Sequence, residues 1–356
     1  MRKKILFIFP YNTWGGAFRS TYILSNHLIK RGWQVDIMFP IIPPRNGYKI
    51  LSINWLKNKF WGLARSLIRR KKINIYCEAN IKQIPWISGI WIKNYSFIIA
   101  NHWNTVEDIN NLPDRCGEKY HYIRDIDREK HIFHISANTF KLPLKKIVVA
   151  SWISTYLNEH FAIKPEAIIT NGTDIDPFIL KKNKPKEISI GMYCGNLDVK
   201  GTKYGLEGIS KALAKLGEIK VILFGFKKPN YTINFNYEWV QAPVGERLRD
   251  VYRKIHIFIS PSLQEGYHNP PREAMAAECS LIATNVGCIP DIGRDNKNMI
   301  IVNTKDSIGI EKGILKLAKD KEFRTRISKN GFETIKKEDW RSRVDLFENL
   351  LLDRDN

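Results

Sequence analysis

Long apolar segments are missing from this chain of 356 residues. No uninterrupted apolar run approaches the roughly 20 residues that a helix needs to cross a bilayer, which argues against a membrane-spanning protein. The amino terminus has only a short apolar run, which continues into Pro10 and a glycine-rich turn instead of a cleavage site. We therefore expect a first strand there and no signal peptide.

Cysteine pairs at metal-binding or redox spacing are also missing. The five cysteines are scattered singly, at Cys77, Cys116, Cys194, Cys279 and Cys288. This scatter argues against a zinc knot and against a disulfide framework, so reduced thiols in the cytosol are the expectation.

Acidic residues are scarce, with 36 Asp and Glu against 57 Lys and Arg, which gives a net charge of +21. Such an excess of positive charge indicates the kind of partner that the protein binds. It favours polyanions such as nucleic acid, anionic lipid headgroups or phosphorylated substrates. The imbalance is sharpest between Ile37 and Cys77, where nine residues are basic and none is acidic.

A helical pattern lies inside that basic stretch, over residues 53–72. Its apolar side chains recur at three- and four-residue spacing, at Ile53, Leu56, Phe60, Leu63 and Leu67. Among its basic residues, Lys57, Arg65 and Arg69 are the predicted contacts with an anionic membrane surface, where each adds about 1 kcal/mol. A solvated helix that packs on its own sheet shows the same stripe, so both interpretations stay open.

A strand–turn–helix–strand pattern opens the chain, with glycines Gly15 and Gly16 in the turn. The full Gly-x-Gly-x-x-Gly fingerprint is absent, which argues against a nicotinamide or flavin enzyme. Further short apolar runs, each ending in polar residues, predict that a parallel sheet continues. One of these runs ends at His102, where the carboxyl ends of strands bind ligands, so His102 is a candidate catalytic residue.

A second strand–turn–helix series starts after a polar segment at 178–187, which we interpret as a linker. We therefore predict an α/β protein with one domain at 1–175, joined by a C-terminal helix at 340–356, and a second domain at 188–339. The Asp-x-Asp pattern at 125–127 recurs at two other places, so it does not predict a metal site.

The stretch from Ser260 to Ala276 places two carboxylates, Glu265 and Glu273, around a turn that opens a helix. Pro270 and Pro271 suit the first turn of that helix, where a missing N–H costs nothing. Carboxylates accept hydrogen bonds from paired hydroxyls, and the open N–H groups of a helix start bind anions. A ligand with both hydroxyls and phosphates would satisfy both, although spacing alone fits ordinary helix capping equally well.

The same stretch resembles the Glu-x7-Glu signature of retaining glycosyltransferases with the GT-B fold, specifically glycosyltransferase family 4. The resemblance to this family rests on Glu265–Tyr267, Pro270–Pro271 and residues 273–276. A further likeness, to the members of the family that build cell-surface polysaccharides, rests on residues 122–127 and 151–152. The resemblance to the family extends over most of the chain, through Gly15–Gly16, 171–174, Lys200–Gly201, Gly225, 260–262 and 287–290. It implies two Rossmann-like domains facing a cleft, a donor nucleotide held mainly by the second domain, and a last helix that crosses back to the first.

Carried over residue by residue, the resemblance implies separate roles for the two carboxylates. Glu273 would hold ribose hydroxyls and Glu265 the transferred sugar, while His102 would lie beside the reacting carbon on the acceptor side. The diphosphate would be held by backbone N–H groups of Tyr267, His268 and Asn269 with Lys200 or Lys203, and Gly15, Gly16 and Gly225 complete the expected donor site. Fixed N–H groups and a lysine stabilise the leaving diphosphate most in the transition state, so neither a metal nor a cofactor is expected.

Four positions depart from the family's usual pattern. Asn196 stands where arginine is usual, Glu278 and Cys288 where glycine is usual, and His268 where a small residue is usual. Because of these departures, we expect Lys200 and Lys203 to contribute more of the phosphate binding.

The expected function is therefore transfer of a sugar from a nucleotide-sugar donor, with retention, to a lipid-linked or glycan acceptor. The expected location is the cytoplasm, peripheral on the inner face of the cell membrane. Two alternatives remain: another GT-B sugar enzyme, such as a phosphorylase or an epimerase, and a basic nucleic-acid-binding protein. No recognisable nucleic-acid-binding motif supports the last, so no nucleic acid partner is expected.

Overall fold

The computed structural model describes residues 3–11, 15–42, 44, 76–126, 130–179 and 184–352. The basic segment with Lys57, Arg65 and Arg69 lies outside these ranges. The chain divides into two compact units, Met1–Asn171 with Arg343–Asn356, and Gly172–Ser342. The division falls at Asn171 and Ser342, so the polar segment at 178–187 belongs to the second unit.

Strands and helices alternate through both units. The strands are β1 Lys4–Ile8, β2 Gln34–Pro40, β3 Asn80–Ile84, β4 Phe97–Ala100, β5 Glu118–Ile123, β6 Lys145–Val148, β7 Ala167–Ile168, β8 Ser189–Tyr193, β9 Lys220–Gly225, β10 Glu238–Gln241, β11 Ile257–Ser260, β12 Ser280–Thr284 and β13 Ile300–Val302. The helices are α1 Gly16–Lys30, α2 Trp103–Asn110, α3 Lys130–Phe140, α4 Ser151–Phe161, α5 Asp176–Ile179, α6 Thr202–Leu216, α7 Gly245–Arg253, α8 Asn269–Ala276, α9 Ile289–Ile292, α10 Ser307–Lys319, α11 Lys321–Lys336 and α12 Trp340–Leu352. Short 3₁₀ turns lie at Asp114–Cys116 and Asp198–Lys200.

The first unit is built on a seven-stranded parallel sheet in the order β3-β2-β1-β4-β5-β6-β7. Its central strands are continuous apolar runs because helices cover both faces, as for β1, whose last four residues are buried. The edge strand β3 is mostly exposed and polar, so the apolar pattern in the sequence does not reveal it. β3 joins the sheet through its register with β2, where Asn80 Nδ2 donates to Asp36 Oδ1 at 3.0 Å.

The last helix, α12, contributes its residues from Arg343 onward to the first unit. The ring of Phe347, which is fully buried, stacks on Phe7 and on Tyr122, with ring centroids 6.3 Å apart in each case. Trp33 Nε1 donates to Glu348 at 2.6 Å, and Arg31 donates to the same carboxylate. Apolar packing of Phe347 and the half-buried hydrogen bonds of Glu348 therefore hold this helix on the unit.

The second unit repeats the plan with a six-stranded parallel sheet in the order β10-β9-β8-β11-β12-β13. Its core lies between this sheet and helices α6, α10 and α11, and Ile190, Met192, Ile209 and Ile314 are fully buried there. Gly191 in β8 lets the side chain of Ile255 pack on the strand, since a Cβ at that glycine would lie 2.2 Å from the Ile255 Cδ1 atom.

Both strand orders reverse direction once. In the first unit the chain turns back between β1 and β4, and in the second between β8 and β11. In an open parallel sheet, ligands bind outside the carboxyl ends of the two strands at such a switch point. The topology therefore selects the loops after β1 and β4 in the first unit, and those after β8 and β11 in the second.

Candidate active site

The loops after β8 and β11 of the second unit are joined by glycine contacts. Gly201 has a left-handed backbone, with φ +62, and a Cβ there would lie 1.9 Å from the backbone oxygen of Pro261. The Leu263 N–H donates to the Val199 carbonyl at 2.7 Å. A Cβ on Gly195 would lie 2.4 Å from Lys200 Cγ, so this glycine makes room for the lysine side chain. Only glycines allow the two loops to approach this closely.

This approach brings Lys200 onto Glu265. The Lys200 Nζ atom donates to both carboxylate oxygens of Glu265 at 2.8 Å, and the Ser262 hydroxyl donates to Oε1 at 2.8 Å. The Glu265 side chain is 9% exposed. Burial by itself raises the pKa of Glu265, but His268, Lys200 and Ser262 together hold that pKa below its ordinary value. Glu265 is therefore an ionised carboxylate that accepts hydrogen bonds.

His268 occupies a strained backbone position immediately before α8. Its φ is 78, in the left-handed region that residues other than glycine rarely adopt. The side chain is 5% exposed, with Nε2 at 3.3 Å from Glu265 Oε1 and Nδ1 at 3.4 Å from the Ser260 hydroxyl. Burial lowers the pKa of His268 to about 4, against the opposing effect of Glu265.

With a pKa of about 4, His268 is neutral at physiological pH, so its contact with Glu265 is not an ion pair. Nε2 faces the Glu265 carboxylate, and Nδ1 forms a hydrogen bond with the Ser260 hydroxyl at 3.4 Å. The imidazole thus links the end of β11 to the carboxylate that the lysine holds.

Glu273 lies one turn into α8, which begins at Asn269 with prolines in its first turn, as predicted. The Tyr252 hydroxyl donates to Glu273 Oε2 at 3.0 Å, and Glu273 is 9% exposed. Glu273 lies close enough to His268 for its charge to raise the pKa of that imidazole. The first N–H groups of a helix have no intrahelical partner, so the start of α8 combines donors for an anion with a carboxylate for hydroxyls.

The structure brings together the predicted residues Lys200, Glu265, His268, Asn269 and Glu273 at the start of α8. The Tyr267 ring supports this turn, because the Arg272 guanidinium lies 4.9 Å from its centroid.

Two predicted donor residues lie in the surrounding loops. Lys203 lies exposed on the first turn of α6. Gly225 ends β9, where a Cβ would lie 2.2 Å from the Cys194 carbonyl oxygen. Their roles stay predictions.

The departures from the family pattern have a structural basis at two positions. His268 and Glu278 have φ values of 78 and 54, which explains why small residues or glycine suit these places. Cys288 is fully buried, and its Sγ atom lies 3.3 Å from the His268 carbonyl oxygen. Asn196 is exposed in the loop after β8.

Three further residues support the site, and the sequence assigns none of them a role. Tyr252, which donates to Glu273, comes from α7 and has no local signal in the sequence. Ser262 belongs to the resemblance at 260–262, and the structure shows that it donates to Glu265. Gly287 belongs to another matching string, and a Cβ there would lie 2.8 Å from the Tyr267 carbonyl oxygen and 2.9 Å from the Cβ atom of Glu265.

In the first unit, the predicted residues Gly15, Gly16 and His102 lie after the two strands of the switch point. Gly15 precedes α1, and a Cβ there would meet nothing within 4 Å among the described residues. His102 precedes α2, and its Nδ1 atom lies 2.7 Å from Asn104 Oδ1. The same Nδ1 atom accepts from the Asn104 backbone N–H at 3.5 Å, so the His102 side chain caps the start of α2.

Within the described ranges, no group of three or more His, Cys, Asp and Glu side chains has an arrangement that could hold a metal ion. A search of the same ranges finds no helix with the length and apolar character to cross a membrane.

Comparison with known proteins shows that the second unit is similar to glycosyltransferases. Residues 189–320 match the family model described as glycosyl transferases group 1. The chain is 24% identical over 201 residues to the uncharacterized glycosyltransferase MJ1178 of Methanocaldococcus jannaschii, a match that covers 55% of this chain and 56% of that protein. The match thus spans about half the length of this relative.

Solved structures resemble the chain over nearly its whole length. Anabaena Alr3699/HepE in complex with UDP-glucose has a TM-score of 0.74 at 13% identity, covering 98% of this chain and 99% of that one. A mutant of S. aureus TarM in complex with Fondaparinux, alpha-GlcNAc-glycerol and UDP has a TM-score of 0.71 at 14% identity, covering 98% of this chain and 100% of that one. These similarities and the two parallel-sheet units confirm the predicted GT-B fold.

Proposed function

We propose that the protein is a glycosyltransferase that takes a sugar from a nucleotide-sugar donor held by the second unit. The observation that carries this proposal is the arrangement of Lys200, Glu265 and the start of α8 at the switch point. It lies inside the segment that matches glycosyl transferases group 1. Structures of Alr3699/HepE in complex with UDP-glucose and with UDP support a uridine diphosphate sugar as the first donor to test.

Each residue of the site has a distinct task in this proposal. The N–H groups at the start of α8 and the Lys200 ammonium bind the diphosphate, whose charge grows as the glycosidic bond breaks. Glu273, fixed by Tyr252, accepts hydrogen bonds from the ribose hydroxyls. Glu265, ionised and held at the end of the loop, accepts them from hydroxyls of the sugar.

The finer features of the reaction rest on the resemblance to glycosyltransferase family 4. We propose that the anomeric configuration is retained, that no metal is needed, and that His102 lies beside the acceptor. The acceptor is proposed to be lipid-linked or a glycan, and the net charge of +21 supports work at an anionic membrane surface on its cytoplasmic side.

Calorimetric titration with UDP-glucose and UDP-N-acetylglucosamine tests the donor site. Glu273→Gln removes a charge but keeps the shape, and Lys200→Met removes the ammonium, so each should weaken donor binding at least about tenfold. Glu278→Gln, at the other end of α8, is the matched control and should bind like the wild type. Equal donor affinity in all four proteins would disprove the proposed site.

Product analysis tests the reaction. Release of UDP that requires an acceptor distinguishes transfer from epimerisation, and the absence of a requirement for inorganic phosphate distinguishes it from phosphorolysis. The anomeric configuration of the product, read by NMR, tests retention. Activity that survives chelation of divalent cations tests metal independence.

A further inference from the structure

Arg124 lies after β5, at the carboxyl edge of the first unit's sheet, and its guanidinium is bound by neutral groups. Nη1 donates to Asn171 Oδ1 at 3.0 Å, and Nη2 donates to the Thr21 hydroxyl at 3.1 Å. Nε and Nη2 both donate to Asn101 Oδ1 at 3.3 Å. The guanidinium also lies 3.9 Å from the centroid of the Tyr122 ring. Among the residues that the structure describes, no carboxylate forms an ion pair with it.

This arrangement leaves a positive charge without a counter-charge. Arg124 is half-buried, and burial lowers the pKa of its guanidinium. A charge taken out of water is costly unless it is paired, and arginine remains charged at any physiological pH. Asp125, the next residue along the chain, accepts a hydrogen bond from the backbone N–H of Ile126 at 2.8 Å. The folded unit therefore maintains a cation that an anion would stabilise.

The amide of Asn101 supplies a second, independent observation. Asn101 is 3% exposed, and the two donors from Arg124 fix its Oδ1 atom toward the guanidinium. The amide nitrogen must then point away, and within the described ranges that Nδ2 atom has no hydrogen-bond partner. A buried N–H donor without an acceptor is uncommon in folded proteins, and it marks a place for a ligand oxygen.

The position of these groups agrees with ligand binding. Asn101 follows β4, Arg124 follows β5 and Asn171 follows β7, so all three lie at the carboxyl edge of the sheet. β4 is one of the two strands at the unit's switch point, where ligands bind. His102, the candidate acceptor-side residue, is the next residue after Asn101. The cluster therefore adjoins the proposed acceptor position.

We propose that Arg124 and the Asn101 amide bind an oxyanion, a phosphate or a carboxylate carried by the acceptor. A guanidinium has five N–H donors, and the four hydrogen bonds described above leave one for the ligand. That donor and the Asn101 amide match two oxygens of one anionic group. The identification of the anion as part of the acceptor rests on the proposed glycosyltransferase function, whereas the anion site itself does not.

The test is a direct binding measurement with simple anions. Inorganic phosphate and glucuronate are titrated into the protein by NMR, with neutral glucose as the uncharged control. All proteins carry Lys200→Met, so that the proposed diphosphate site of the second unit contributes less binding. Phosphate binding alone assigns a phosphate-bearing acceptor, and glucuronate binding alone assigns an acidic sugar.

The decisive variant is Asn101→Asp. It keeps both acceptors for Arg124, adds the missing negative charge and removes the amide donor. We expect it to melt at least as high as its parent and to bind the anions at least tenfold more weakly. Asn138→Asp, an exposed residue of α3, changes the net charge equally and should bind like the parent. Arg124→Gln should also lose binding if it folds, but the conclusion does not depend on it.

Two results would overturn the anion site: unchanged anion affinity in Asn101→Asp, or a lower melting temperature for that variant. Titration of UDP into the protein without Lys200→Met keeps this outcome separate from the proposed function. A protein that binds phosphate through Arg124 but does not bind UDP would disprove the donor site and leave the anion site in place.

Discussion

Acid should destabilise the second unit through His268. This imidazole is buried against Glu265 and Ser260, and burial lowers its pKa from 6.5 to about 4. The folded state thus binds the proton more weakly than the unfolded state does. Stability is therefore fully present above pH 6.5, falls as the pH drops below that value, and levels off below about pH 4.

The size of the effect follows from the two pKa values. The full difference corresponds to about 3 kcal/mol, and at about pH 5 it amounts to ~2 kcal/mol, a large part of the stability of an ordinary domain. His268→Asn removes the titration, and asparagine tolerates the left-handed backbone that this position requires. The variant should therefore lose about 2 kcal/mol less than the wild type between pH 7 and pH 5.

The assay combines urea unfolding at several pH values with an NMR titration of the His268 ring. His121 and His256, whose pKa values burial lowers to about 3 and about 4, also destabilise the folded chain in acid. They act equally in wild type and variant, so the difference between the two proteins isolates His268. An equal loss of stability in both proteins, or a ring titration near the ordinary 6.5, would refute this reasoning.

Three further predictions concern the loops and the last helix. Gly201→Ala puts a Cβ 1.9 Å from a backbone carbonyl oxygen at a left-handed residue, so urea unfolding should show a loss of about 2–4 kcal/mol. Lys200→Met should raise the pKa of Glu265, because a cation that lowers this pKa is removed, and an NMR titration of the carboxylate measures the shift. Phe347→Ala should destabilise the first unit by about 3–5 kcal/mol in urea unfolding, while Leu346→Ala, at a residue that is 45% exposed, should change little.

The first two of these predictions have their own controls. Gly217 also has a positive φ, of +77, but a Cβ there would meet nothing within 4 Å among the described residues. Gly217→Ala should therefore lose only about 1 kcal/mol, from backbone strain alone. An equal loss in both alanine variants would show that the contact at Gly201 does not matter. An unchanged pKa of Glu265 in Lys200→Met would contradict the ion pair.

The fold was largely predictable because apolar runs identify buried strands. β1, β8 and β11 are buried on both faces, and their sequences are accordingly almost continuous apolar runs. The apolar pattern does not reveal β3, because an edge strand needs no apolar faces and its pairing depends on β2 and not on its own residues. The apolar pattern of a sequence therefore predicts which strands are buried, but it does not predict which strands pair or in what register.

The site was predictable in part for a related reason. The resemblance named Glu265 and Glu273, but their partners come from other loops and helices, as with Lys200 and Tyr252. Residue spacing within one segment cannot show that Lys200 donates to both carboxylate oxygens of Glu265, which lies 65 positions away. No sequence pattern identifies Arg124, because its significance depends on its neighbours in the fold, which are two amides and a hydroxyl where a carboxylate would be ordinary.

The ion pair between Lys200 and Glu265 has a consequence for turnover. In the proposed function, a donor whose diphosphate binds the Lys200 ammonium would deprive the Glu265 carboxylate of its cation, and the hydroxyls of the sugar would replace it as hydrogen-bond partners. After transfer, the nucleoside diphosphate would still bind the lysine but would no longer supply those hydroxyls. The carboxylate would then compete with the product for the ammonium, so re-formation of the pair would promote product release before the next donor binds.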